Sequence, residues 1–304
     1  YGYLEMYARM MLGASVEHFE PHKIVPSVLE QYETSLRDPV FYQMWKRILE
    51  SSYCHFKTHL PTYKVEDIEF KGVTVDGAEV DKLVTYFDKF DADITNAVDV
   101  EVFDDKFDES SMKKFGRIAH YQGEDFMIKA RTTRLNTVPF TYKLHTTSTT
   151  AVKGVVRTYI GPKYDQYGNA YHINDNKENF VLLDVFLYEF AAGKNTITRK
   201  SEDFSFFVKD HTTFYELYKQ VMTAFEGTTK YQLHTSEAYT GFPSRLMLPK
   251  GKKGGMPFQF YFIVSPYHPP TEKPHDFTYE GGYGYVDSLP YGYPFDREID
   301  ENVW

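Results

Sequence analysis

The 304-residue chain, 42% apolar and with a formal net charge of -9, is long enough to bury one large β domain or two ordinary domains without metal or disulfide staples. Its acidity excludes a nucleic-acid backbone or an anionic membrane as the main partner, since neither attracts a negative surface, and no apolar run approaches the roughly 20 residues that span a bilayer. The single cysteine, Cys54, rules out a disulfide within the chain and by itself points only weakly to a reducing compartment; a small buried side chain near a helix end is expected.

The chain opens without Met inside an amphipathic pattern, so further sequence, where a signal peptide would lie, is expected upstream of residue 1. Leu4, Tyr7, Met11 and Leu12 recur at helical spacing. Phe41, Met44, Trp45, Ile48 and Leu49 do so again after the start signal Asp38-Pro39, with a loop through Gly13, Pro21 and Pro26 between the two helices. From Pro61 the texture changes to short runs rich in β-branched and aromatic residues and bounded by turn formers, as at 73–75, 153–160, 181–190 and 258–264. Such strands, without regularly alternating helices, predict an antiparallel sandwich rather than a parallel α/β sheet. One helix interrupts them. Thr213-x-x-Glu216 has capping-box form, Phe214, Leu217, Tyr218, Val221, Met222 and Phe225 share a face, Gly227 supplies the stop, and the helix is expected to pack on the sheet edge.

Motifs for catalysis or cofactor binding are weak. Lys250-Gly251-Lys252-Lys253-Gly254-Gly255 lacks the Gly-Lys-Ser/Thr ending and following helix of a phosphate loop and reads as a hairpin turn. Gly281-Gly282-Tyr283-Gly284-Tyr285 has no βαβ unit around it and reads as an irregular aromatic tail. No Gly-x-Ser-x-Gly elbow occurs. The carboxylate pairs Asp104-Asp105 and Asp91-x-Asp93 read as solvated loop charges. His18-x-x-x-His22, interrupted by Pro21, and His55-x-x-x-His59 read as surface or capping histidines rather than metal sites. The informative bulk feature is an aromatic fraction of 17%, from 26 Tyr and 25 Phe against 2 Trp, which exceeds what one core requires. These rings are expected to fill subunit interfaces, to be themselves the product under selection as a reserve of Phe and Tyr, or both.

Eight segments, taken together and in order, resemble the arthropod hemocyanin superfamily over essentially the whole chain. In the first half they are Tyr1-Gly2-x-Leu4, Leu36-Arg37-Asp38-Pro39-x-Phe41-Tyr42, Leu83-x-Thr85-Tyr86-Phe87-Asp88, Thr95-Asn96-Ala97-Val98 and Val138-Pro139-Phe140. Gly161-Pro162-Lys163-Tyr164-Asp165, Gly193-x-Asn195-x-Ile197-x-Arg199-x-Ser201 and Gly292-Tyr293-Pro294-Phe295-Asp296-Arg297 follow. The tail from Leu289 to Arg297 is similar to the hexamerin branch, of the aromatic-rich arylphorin kind. The resemblance implies an α + β fold: residues 1–62 as the end of a helical middle domain and 63–304 as an antiparallel immunoglobulin-like β-sandwich. It also implies a non-catalytic nutrient reservoir secreted into insect hemolymph and later stored in fat body. Its partners would be identical or homologous subunits in a hexamer and a fat-body uptake receptor, with no nucleic acid, membrane insertion or cofactor. A carrier of hormones or other small molecules is the alternative, and a copper oxygen carrier or phenoloxidase ranks below it.

In the copper-binding relatives, the second metal takes two His four residues apart on one helix and a third shortly after the Arg-Asp-Pro motif. Here those positions fall on Glu5, Arg9 and Trp45. Each ligand must offer a lone pair. Arg is donor-only, the indole nitrogen has none to give, and one carboxylate cannot hold the metal alone. The second copper is therefore expected to be absent, and with it the bridging of dioxygen. Glu5 and Arg9, in the favourable helical order, are expected to pair inside the former metal cavity.

Overall fold

The computed structural model describes residues 2–13, 27–30, 32–94, 120–121, 124–125, 128–210, 212, 214–231, 242–270, 286–290 and 292–300. The expected loop after Gly13 with His18 and His22, the Asp104-Asp105 pair, the cap residue Thr213 and the Gly281-to-Tyr285 cluster lie outside them.

Helices come first. They are α1 (Gly2–Gly13), α2 (Tyr32–Ser35), α3 (Pro39–His59) and α4 (Val65–Ile68). Strands follow as β1 (Val73–Val80), β2 (Thr85–Asp93), β3 (His120–Tyr121), β4 (Glu124–Asp125), β5 (Lys129–Thr137), β6 (Thr141–Ser148) and β7 (Val152–Pro162). After α5 (Ile173–Asn176) come β8 (Val181–Phe190), β9 (Gly193–Lys200), β10 (Phe207–Val208), α6 (Phe214–Phe225), β11 (Phe242–Pro243) and β12 (Phe258–Pro266). The start of α3 is explained by its first residues: the Asp38 carboxylate accepts the Val40 N–H at 2.9 Å, and Pro39 sits where a missing N–H costs nothing.

Two antiparallel three-stranded sheets, β1-β6-β9 and β12-β7-β8, face each other across one core. Tyr142 and Leu144 of β6 and Ile197 of β9 meet Val156 and Ile160 of β7, Leu183 and Phe190 of β8 and Val264 of β12. The period-2 rule is visible in β6, where Tyr142, Leu144, Thr146 and Ser148 are buried and the residues between them are not. Polar bonds also join the sheets. The Tyr142 hydroxyl lies 2.9 Å from that of Thr158, and Arg199 of β9 donates twice to the buried Asp184 carboxylate of β8, at 2.9 and 2.7 Å. Burial raises the Asp184 carboxyl, and the facing guanidinium opposes that rise. The β2–β5 ribbon is a separate antiparallel pair.

Strand β7 departs from alternation, since every residue from Gly154 to Gly161 is buried. One face lies on the sandwich core; the other is roofed by a second cluster of Tyr63, Tyr293, Phe295 and Ile299 on Tyr159 and Ile263. The final segment is stitched down by main-chain and side-chain bonds. Tyr63 N–H donates to the Glu298 carbonyl at 2.9 Å, Asp300 N–H to the Tyr63 carbonyl at 2.8 Å, and the Tyr159 hydroxyl to the Tyr293 carbonyl at 2.7 Å. Beneath it, Arg157 donates to Asp287 at 2.7 Å, with both side chains all but excluded from solvent.

Four expectations need correction. Cys54 is exposed, because it falls about 80° around α3 from the buried Met44. The Lys250-to-Gly255 segment turns, with Gly255 N–H donating to the Lys252 carbonyl at 3.0 Å, but it is not a hairpin: β12, which follows it, pairs with the distant β7. Asp91 lies on a strand and is bonded by Arg131 at 2.7 and 3.0 Å across the ribbon. The apolar face of α6 is only partly covered, with Leu217 and Met222 half-buried but Tyr218, Val221 and Phe225 exposed.

The buried phenols make alkaline stability testable. Burial pushes Tyr142 and Tyr293 up to about 12 and raises Tyr63 as well, where Asp296 adds to the effect. An unfolded chain ionises its phenols near ~10, so the stabilisation from keeping these three protonated is intact below that value and is lost as pH climbs toward 12. A spectrophotometric titration should show a first tyrosinate phase near ~10 and a delayed one coincident with loss of near-ultraviolet circular dichroism. A single phase completed before any unfolding would contradict this.

Candidate functional site

Helix α1 places Glu5 and Arg9 one turn apart on the same face, with 30% and 19% of their side chains exposed. The Arg9 Nε donates to the Glu5 carboxylate, and its Nη1 donates to the main-chain carbonyl of Leu29 at 3.1 Å. Leu29 itself is buried. The guanidinium also lies over the Phe41 ring of α3, 5.3 Å from its centroid, and Phe41 contacts Trp45 one turn on, centroid to centroid 6.3 Å. Arg9 thus links α1, the 27–30 turn and α3 with three kinds of contact. Trp45 Nε1 is buried and has no acceptor among the described residues.

Sequence reasoning singled out Glu5, Arg9 and Trp45. The structure brings the first two into contact and connects the third to them through Phe41. Phe41 carried a signal, its four-residue spacing from Trp45 on a helix, whereas the Leu29 carbonyl had none, because any residue supplies a backbone acceptor.

These side chains do not fit a copper ion. The guanidinium and indole present N–H donors where a metal needs lone pairs, and the one carboxylate is already engaged by a cation. The pair His55 and His59 is exposed on α3 with rings stacked 4.4 Å apart. A His59 ring nitrogen lies 3.0 Å from the His55 carbonyl, a local contact near the helix end. Among the described residues no group of three or more His, Cys, Asp or Glu side chains is placed to hold a metal.

Residues 62–304 match the family model described as the hemocyanin ig-like domain, and residues 1–52 match that of the hemocyanin copper-containing domain. The chain belongs to the hemocyanin family. Its α + β architecture with an immunoglobulin-like domain is that of the family. Scorpion hemocyanin in its activated state superimposes with a TM-score of 0.70 at 22% identity, covering 99% of this chain and 46% of the other. A crustacean hemolymph-type prophenoloxidase superimposes with a TM-score of 0.63 at 20% identity, covering 97% and 40%. Both show the fold alone.

Relatives closer in sequence come from insects. Hexamerin-1.1 of Anopheles gambiae is 41% identical over 100% of this chain and 42% of its own length. Larval serum protein 2 of Drosophila melanogaster is also 41% identical, over 100% and 44%. Arylphorin subunit C223 of Calliphora vicina is 41% identical over 98% and 38%. The chain spans less than half the length of these hemocyanin-family relatives.

If the Glu5–Arg9 pair is a structural tie, losing one partner costs more than losing both. Arg9→Met strands a half-buried carboxylate and removes the donor to Leu29, which should lower stability by about 1–3 kcal/mol. Glu5→Leu combined with Arg9→Met should be clearly milder in urea denaturation. Equal losses in the single and double variants would reject the tie.

Proposed function

We propose that this chain is part of a secreted storage protein of insect hemolymph, a non-catalytic and copper-free reserve of Phe and Tyr. On this reading it assembles with identical or homologous subunits into a hexamer, is taken up through a fat-body receptor, and is broken down to amino acids there. The observation that carries the proposal is the occupant of the helical site. We assign Glu5, Arg9 and Trp45 to the positions where copper-binding members of the family present imidazoles, and an ion pair capped by an aromatic ring leaves no place for a dioxygen-bridging centre.

Two further facts support it. Relatives at about 40% identity bear the names hexamerin, larval serum protein and arylphorin. The aromatic fraction of 17% includes rings that no neighbour covers among the described residues, such as Tyr167 and Phe225, which are 81% and 86% exposed. Such rings suit a surface that meets other subunits or a composition selected for its content.

Metal analysis and a catechol oxidation assay on the purified full-length protein test the proposal together. Copper well below one ion per chain, no turnover of catechol and a hexameric mass by sedimentation are expected. Stoichiometric copper accompanied by turnover would overturn the storage reading.

A further inference from the structure

We propose that the lysine- and glycine-rich loop at 248–256, together with the β1–β2 connection, forms a binding site for an amphipathic anion: a carboxylate carried on an apolar body. The two segments border a half-open cleft of about 420 Å³ at one end of the sandwich. Its floor is the core itself. Ile160 and Leu248 line it while being 4% and 2% exposed, and Leu83 and Phe258 pack against the same cluster. Its rim is cationic, with Lys82, Lys250 and Lys252 all exposed, and no Asp or Glu is among the described lining residues.

That distribution is unusual for a chain of net charge -9. Three lysines border a cleft with an apolar floor, while carboxylates outnumber cations over the molecule as a whole. A neutral apolar ligand would leave the ammonium groups unused, and a cationic one would be repelled. A polyanion would meet the acidic remainder of the surface. A small molecule with one anionic head and an apolar body satisfies both parts of the lining, and the volume lies in the ~300–1,000 Å³ range of small-ligand sites.

The loop is tied to the start of β2. The Thr85 hydroxyl donates to the Lys250 carbonyl at 2.8 Å, and the Lys250 ammonium lies over the Phe87 ring, 5.5 Å from the centroid. Gly251, Gly254 and Gly255 take φ of 71°, 91° and 103°, a region that side-chain-bearing residues avoid. The Gly255 N–H is bonded to the Lys252 carbonyl and so is not free for the head, whose charge the lysines would meet.

The test uses three probes with one chain length, dodecanoate, dodecanol and dodecyltrimethylammonium. Each is titrated calorimetrically, below its micelle concentration and in 0.15 M salt, into the full-length protein. Saturable binding of one dodecanoate per chain, at least about tenfold tighter than dodecanol, is expected. The double variant Lys82→Glu, Lys252→Glu alters only exposed side chains, so its thermal midpoint should match that of the parent. It should weaken dodecanoate by about tenfold while leaving dodecanol unchanged, and Met256→Trp should weaken both by filling the cleft. Equal affinity for all three heads, absence of a saturable site, or dodecanoate affinity unaffected by the charge reversal would overturn the proposal. None of these results bears on copper or on catechol turnover, so the storage reading stands or falls separately.

Discussion

The buried guanidinium of Arg157 sets a condition that the rest of the sandwich has to meet. It projects from β7 on the face away from the main core, where little water can reach it, and its counter-charge, Asp287, comes from the far end of the chain. Removing one member of such a pair leaves an uncompensated charge, so the final segment cannot lie elsewhere without a cost of several kcal/mol. Around this pair the tail provides an apolar roof. Phe295 stacks on Phe180 and meets Tyr159 and Tyr261 edge-on or tilted, with centroids 4.8 to 5.2 Å apart. Glycine makes the approach possible at Gly161, where an added Cβ would sit 2.8 Å from the Phe180 ring. The result is a three-layered domain in which one central strand belongs to two cores.

Much of this was legible in the sequence, and the gaps have physical causes. Runs of β-branched and aromatic residues located β1, β7, β8 and β12, because those side chains suit a pleated, half-buried surface. Pairing was not legible: Val73 lies opposite Ser148 and Phe258 opposite Pro162, and no local signal names a partner so far along the chain. That is why the lysine-glycine segment looks like a hairpin in the sequence although it is a turn between elements of different sheets. The Gly193-to-Ser201 segment entered as a resemblance, and the structure supplies its reasons. Asn195 closes the β8–β9 corner by bonding both N–H and carbonyl of Ala191, Arg199 reaches Asp184 across the sandwich, and the Ser201 hydroxyl accepts the Phe140 N–H.

At the helical site, spacing alone revealed that Glu5 and Arg9 share a face, since four residues make about one turn. Spacing could not reveal that Arg9 also binds the Leu29 carbonyl and covers Phe41. A metal ion holds helices by drawing several lone pairs to one point. A guanidinium does a related job with its planar set of N–H groups and its flat face, which accept different partners at different angles. Arg9 is suited to joining α1, the 27–30 turn and α3 because it needs only a carboxylate, a carbonyl and a ring, and each of those comes from a different segment.

The aromatic surplus divides by location. Rings in the two cores are fixed by volume and by their neighbours, as with Tyr142 against Phe262 and Phe140 between Phe204 and Phe260. Exposed rings have no such constraint, and their arrangement separates two causes. Tyr218, Val221 and Phe225 form one stripe on α6, the pattern of a helix whose face is to be covered by another surface. Tyr167 instead stands alone in a turn that Asp165 organises by accepting the N–H groups of Tyr167 and Asn169. The turn geometry requires the aspartate and is indifferent to the ring. On the proposed storage reading, a tyrosine tolerated where neither packing nor turn chemistry asks for one is what selection on composition would leave behind, and the stripe on α6 is what selection on assembly would leave behind. Both pressures would act on the same residue types, so on that reading the excess over a single core's needs carries two meanings at once.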